Sequence, residues 1–166
     1  MLKSYLNKIL FITLFSFSFT QAPSWDCDDD GVLDNFNDYQ NNGSITSAVF
    51  IDGVNSGTPG DLIAAFVDGE QRGVATPLEV PFGPNAGTYS FLMLIYSNEA
   101  SGENLDFKFY DIETDTIYDL DETLEFVSDM TLGDVVSLEI FNSSGSSSDC
   151  FTECDGTELG DCSGAD

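Results

Sequence analysis

Leu105-Asp106-Phe107-Lys108-Phe109-Tyr110 alternates large apolar side chains at 105, 107 and 109 with polar ones at 106, 108 and 110. A repeat of two residues puts one set on each side of an extended chain, so this stretch predicts an antiparallel strand with one buried face. Outward from it, Thr88–Tyr96 (TYSFLMLIY) is apolar on both faces and is expected in the middle of a sheet. Ile45–Ile51, Leu62–Val67, Val74–Val80, Thr116–Leu120, Leu124–Val127 and Val135–Phe141 complete the set. Turn chemistry separates them at Asp52-Gly53, Asp68-Gly69, Gly83-Pro84-Asn85, Ser101-Gly102 and Gly133-Asp134, and no stretch keeps a helical period. About eight short strands at this spacing predict an all-β chain, an antiparallel β-sandwich.

The ends differ from this middle. Lys3 and Lys8 precede the apolar run Ile9–Phe19, which gives way to Thr20, Gln21 and Ala22. A basic start, an apolar centre and a small-residue exit make residues 1–22 a secretory signal peptide. The run is shorter than the ~20 residues needed to cross a bilayer, so no membrane insertion is expected after cleavage. Residues 23–42 form an acidic segment, 43–142 the sandwich, and 143–166 a tail of Ser, Asp and Cys.

The chain carries 30 acidic residues against 4 basic ones, a net charge of −26. Loss of the leader with its two lysines brings this to about −28, a charge that favours salty or cation-containing surroundings. Phosphate backbones are repelled, which excludes nucleic acid as a partner. The expected location is extracellular or at the cell surface. Cys27, Cys150, Cys154 and Cys162 all follow the leader. An even count in an exported chain favours disulfides, with three pairings open. None of the four lies between 28 and 149, so bridges join the ends and leave the core untouched. A zinc site would need thiol pairs at closer spacing or histidine, and the chain has no histidine.

The densest motif is Asp26-Cys27-Asp28-Asp29-Asp30-Gly31-Val32-Leu33-Asp34. Carboxylates at alternate positions converge on one hard cation, and the glycine permits the turn between ligands. An EF-hand would require Glu at the twelfth loop position, where Asn37 stands, and Pro23 precludes a preceding helix. The motif resembles the calcium loops of thrombospondin type 3 repeats, in which further Asp or Asn residues follow; Asn37 and Asp38 occupy that extension. The resemblance implies calcium held by Asp26, Asp28, Asp30, Asp34, Asn37 and Asp38. A solvated acidic linker is the competing reading.

A second resemblance covers residues 38–141. Asp61-Leu62-Ile63-Ala64-Ala65-Phe66-Val67-Asp68-Gly69-Glu70, Arg72-Gly73-Val74-Ala75, Leu94-Ile95-Tyr96-Ser97-Asn98, Ser101-Gly102-Glu103 and Phe107-Lys108-Phe109-Tyr110-Asp111 occur in this order. They resemble a module repeated in large secreted and cell-surface proteins of Bacteroidota-like and marine bacteria. The resemblance implies an extracellular β-sandwich without catalytic residues to transfer. Gln71 stands where many relatives carry cysteine, which implies a family disulfide absent here.

Arg72, the sole arginine, is expected to pin its hairpin through Asp61 or Asp68; the alternative is an anchor for a ligand carboxylate. Tyr89, Phe91, Tyr96, Phe107, Phe109, Tyr110 and Tyr118 are read as core, with a sugar-stacking platform as the alternative. Without histidine there is no Ser-His-Asp or Cys-His chemistry, and no phosphate loop or dinucleotide fingerprint is present. The expected protein is therefore not an enzyme. It reads as a structural or adhesive surface module stabilised by calcium, with a glycan or surface protein as partner. The alternatives are a calcium-assisted carbohydrate-binding module and a subunit that self-associates by strand exchange.

Overall fold

The computed structural model describes residues 22–145, together with 147–148, 150–152, 154 and 158–160. The expected signal peptide falls outside these, Ala22 excepted. The strands in chain order are β1 (Asn41–Ile51), β2 (Val54–Asn55), β3 (Leu62–Val67), β4 (Glu70–Ala75), β5 (Pro77–Glu79), β6 (Tyr89–Ser97) and β7 (Ser101–Asp111). They continue with β8 (Thr116–Val127), β9 (Thr131–Leu132), β10 (Glu139–Ser143), β11 (Ser147–Ser148), β12 (Cys150–Thr152) and β13 (Glu158–Gly160). One 3-10 turn, Phe36–Asp38, is the only helical element among the described residues. The molecule is all-β.

Eleven strands form one sheet in the order β10-β1-β6-β4-β3-β7-β8-β11, with β2, β5 and β9 as side branches; β12 and β13 pair apart from it. Its halves face each other across a core, as the two layers of a sandwich do. Most pairings are antiparallel, but β10 and β9 lie parallel to β1. The doubly apolar β6 sits centrally, between β1 and β4. Several strand limits differ from the sequence reading: β1 begins at Asn41, and β7 begins at Ser101, so Ser101-Gly102, expected as a turn, lies in strand. Val74–Val80 divides at Thr76, because Pro77 has no N–H for the ladder. Thr116–Leu120 and Leu124–Val127 are one strand, β8. Val135–Phe141 is strand only from Glu139, because the Asp134 carboxylate accepts the N–H groups of Val136 (2.7 Å) and Ser137 (2.8 Å) and folds that stretch into a turn. Those two bonds hold the Asp134 carboxyl below the usual aspartate range.

The chain itself closes the sheet. β10 adds to the β1 edge, and within a few residues β11 pairs with β8 at Ile117 and Tyr118. Between these points the Glu122 carboxylate accepts the backbone N–H (2.6 Å) and the side-chain amide (2.7 Å) of Asn142. Beneath the seam the Phe141 ring lies 4.4 Å from that of Phe107. The inner face is the main core: Ile45, Val49, Ile63, Phe91, Met93, Ile95, Leu105, Phe107, Phe109, Phe126 and Phe141 are buried there. Leu105, Phe107 and Phe109 point inward, as their alternation requires.

The outer face brings the main surprise. Tyr110, on the polar side of the alternation at 105–110 but read as core among the aromatics, is fully buried on this outer face. The segment that precedes β1 doubles back over β3, β4, β7 and β8 and lays Trp25 on Leu62, Ala64, Val74, Tyr110 and Ile117. Trp25 meets Phe66 edge to face, with ring centroids 5.7 Å apart. Burial of an indole and a phenol ring on the order of 200 Å² each makes this second cluster a substantial part of the stability.

Asp61 closes the same end. It is fully buried, and its carboxylate accepts the Thr58 N–H (2.6 Å), the Thr58 hydroxyl (3.0 Å) and the Ile112 N–H (3.0 Å). Burial raises its pKa despite these donors, and the charge of Asp111 adds to the rise. The native state therefore holds this proton more tightly than the unfolded chain, so this group's contribution to stability falls as pH rises from the ordinary aspartate value through the raised one. An Asn side chain has one oxygen and would turn an amide N–H toward a donor, so Asp61→Asn is expected to cost about 2 kcal/mol. Denaturant melts should show the wild-type advantage widening on acidification into that window; a narrowing gap would contradict the assignment.

Candidate metal centre

The acidic segment is not a solvated linker. Leu33 and Asp26 are buried, and the segment is fixed on both sides of the motif. Before it, the Trp25 carbonyl accepts the Gln71 amide (2.8 Å). After it, Phe36 and Tyr39 stack on Tyr96 at 5.8 and 6.4 Å, and the Tyr39 hydroxyl donates to Glu70 (2.7 Å). Gln71 thus ties β4 to the segment by a hydrogen bond.

Between these anchors the chain reverses. Asp29 and Gly31 adopt left-handed conformations, with φ of 58° and 73°. A side chain on Gly31 would be strained at this φ and would also crowd the Thr76 hydroxyl, at 3.1 Å, so glycine suits both the turn and the close approach. The reversal is held by Asp26, whose carboxylate accepts the N–H groups of Asp30 (3.1 Å) and Gly31 (2.9 Å). Asp26, Asp28 and Asp34 then offer carboxylate oxygens that all lie within 4.8 Å of one another. This group can hold a metal ion. Asp30 lies outside it and accepts the Val32 N–H (2.8 Å). Asn37 and Asp38 lie in the exposed 3-10 turn that follows.

Burial raises the Asp26 pKa, and the negative charges of Asp30 and Asp28 raise it further against the two backbone N–H donors. A cation at the three carboxylates would offset that repulsion. Burial also raises the Tyr96 hydroxyl, with Asp30 adding to the effect, which sets the acidic loop close to the sheet.

Cys27, between two members of the group, forms a disulfide with Cys154 across a separation of 127 residues. It joins the ends, as the cysteine positions require, and such a bond belongs to an oxidising, non-cytoplasmic compartment. Any bond of Cys150 or Cys162 lies outside the described residues. Among these residues no helix is long and apolar enough to cross a membrane.

The ion pair expected between Arg72 and Asp61 or Asp68 is not formed. Asp61 is saturated by Thr58 and Ile112, and Asp68 sits in a left-handed turn with φ of 49°. Arg72 instead pairs with Glu103 (3.1 Å) and Glu70 (3.5 Å) beneath the Tyr39 ring, its guanidinium carbon 4.9 Å from the centroid. It pins the acidic segment as well as the hairpin. Phe91, Phe107, Phe109 and Tyr110 are fully buried and offer no face for stacking. Trp25 was legible only as the sole tryptophan, set beside the acidic motif.

Comparison with protein-family models, with curated proteins and with solved structures finds no match in any of the three. Fold and site define the class of the protein: an all-β sandwich module, closed by a disulfide between its ends, with an acidic loop able to hold a metal ion.

Proposed function

We propose that the chain is a non-catalytic structural or adhesive module of the cell exterior, whose N-terminal loop binds calcium and whose partner is a glycan or a surface protein. The observation that carries this reading is the convergence of Asp26, Asp28 and Asp34 on a loop anchored by Trp25, Phe36 and Tyr39. An all-oxygen donor set with two of its three carboxylates exposed suits calcium. In a chain of net charge −26 a bound cation also relieves self-repulsion.

The test is a thermal melt in saturating calcium and in chelator. At a calcium concentration of ~100 Kd the native state gains about 2.7 kcal/mol, and the sole tryptophan, adjacent to Asp26, should change its fluorescence in step. Because the Asp26 carboxyl is held above its ordinary value and a ligand must be ionised, the calcium-induced shift should fade on acidification before a solvated aspartate would titrate. Equal melting temperatures with calcium and with chelator, or a shift that survives in Asp28→Asn/Asp34→Asn, refute calcium at this loop.

A further inference from the structure

The turn that leads out of β8 carries a methionine whose sulfur is engaged at the surface. The Met130 N–H donates to the Val127 carbonyl (3.0 Å), and the exposed Val127 N–H donates to the Met130 sulfur (3.3 Å). The same turn staples together parts of the sheet that are remote in sequence. Ser128 donates its N–H to the Ala100 carbonyl (2.8 Å), and Asp129 donates its N–H to the Asn42 carbonyl (2.8 Å). The Met130 carbonyl in turn accepts the Ser44 N–H (2.9 Å). Gly43 lies between these last two bonds. A side chain there would begin 2.6 Å from the Met130 Cγ, so the thioether chain lies flush on the β1 backbone. Met130 is partly buried and packs against the main core, whereas Met93, the other methionine beyond the leader, is fully buried within it.

We propose that Met130 is an oxidation site: a peroxide converts its thioether to the sulfoxide in the folded protein, and the sulfoxide loosens the staple between β8 and β1. A sulfur lone pair attacks the peroxide, and the S–O bond forms as the O–O bond breaks. With hydrogen peroxide the second oxygen leaves as water; sulfur is oxidised by two electrons and the peroxide is reduced by two. Susceptibility follows exposure, which separates the surface sulfur of Met130 from the enclosed one of Met93. Cys27 and Cys154 are bonded to each other, so neither thiol competes for the oxidant. The Val127 N–H occupies one side of the thioether, a weak acceptor. Oxygen therefore adds on the other side, and the new stereocentre at sulfur forms with one hand in excess. The product replaces a soft apolar group by a polar one, at a place packed on the core and without slack over Gly43. The side chain withdraws toward water, and the bonds from Asp129 to Asn42 and from Ser44 to Met130 weaken with it. β1 starts at Asn41, two residues after Tyr39, so the change reaches the C-terminal anchor of the acidic segment.

The site is independent of the calcium loop, and its test uses the intact folded protein with hydrogen peroxide, the products mapped by peptide mass spectrometry. Met130 should oxidise about tenfold or more faster than Met93. Protein oxidised at Met130 should melt roughly 3 °C or more below untreated protein, and amide exchange at Asp129 and Ser44 should quicken. Met130→Leu, a swap of similar volume, should keep its melting temperature through the same treatment. Of two methionine sulfoxide reductases of opposite stereospecificity, one should restore the melting temperature and the other should not. Equal oxidation rates for Met130 and Met93 in the folded protein overturn the proposal, a result that needs no variant. So does an unchanged melting temperature and exchange rate in protein oxidised at Met130. A fall of equal size in Met130→Leu overturns it by assigning the effect to another residue, and equal repair by both enzymes does so by removing the Val127 bond from the sulfur's chemistry.

Discussion

Trp25→Ala is expected to destabilise the protein by about 3–5 kcal/mol, the usual cost of truncating a buried large aromatic side chain, and to lower the melting temperature by roughly 10 °C or more. The indole is the only large side chain that the acidic segment contributes to the outer cluster, and it covers Leu62, Ala64, Val74, Tyr110 and Ile117. Its removal leaves the fully buried Tyr110 and Ala64 open to water and frees the segment on the N-terminal side of Asp26. The calcium-induced melting shift should therefore shrink in the same variant. Trp25→Phe should recover part of the loss, because a smaller ring still covers Ala64. Differential scanning fluorimetry decides the matter: a solvated linker would give no change in either variant.

Removal of the Cys27–Cys154 bond should have an effect of similar size. A cross-link that closes a loop of more than 100 residues restricts the unfolded chain by about 4–5 kcal/mol in the chain-entropy view, and measured losses run about 2–5 kcal/mol. Cys27→Ala/Cys154→Ala is the suitable variant, since it leaves no free thiol at either position. The denaturation midpoint should fall by that amount in calcium. It should fall further in chelator, because Cys27 sits between Asp26 and Asp28, and the loop then loses both of its constraints. A midpoint within 1 kcal/mol of wild type would mean that the bond only ties down the tail.

How much of this was legible in the sequence varied with the range of the interaction. The alternation at Leu105, Phe107 and Phe109 is a local property, so it fixed the strand and its inward face without reference to the rest of the chain. The central place of Thr88–Tyr96 followed from its two apolar faces. The metal group was half legible. Spacing proposed six ligands, and the reversal at Asp29 and Gly31 brings Asp26, Asp28 and Asp34 together while Asp30 turns to Val32. Spacing counts positions along the chain and is blind to where the folded backbone carries each carboxylate. Arg72 failed for the same reason. Asp61 and Asp68 are near in sequence, but Glu103 arrives from β7 and Tyr39 from the acidic segment.

By itself the sequence determined that the chain is all-β, acidic and disulfide-capable, with oxygen ligands gathered before the first long strand. These are consequences of periodicity, composition and spacing, and they hold in any arrangement of the strands. Only the tertiary structure decided that β10 and β11 close the sheet, that Trp25 covers one half of its outer face, and that Leu92 and Leu94 on the other half stay bare. An apolar side chain on the outer face of a strand is equally suited to a covered and an uncovered position. Which it occupies depends on where a segment remote in sequence comes to lie.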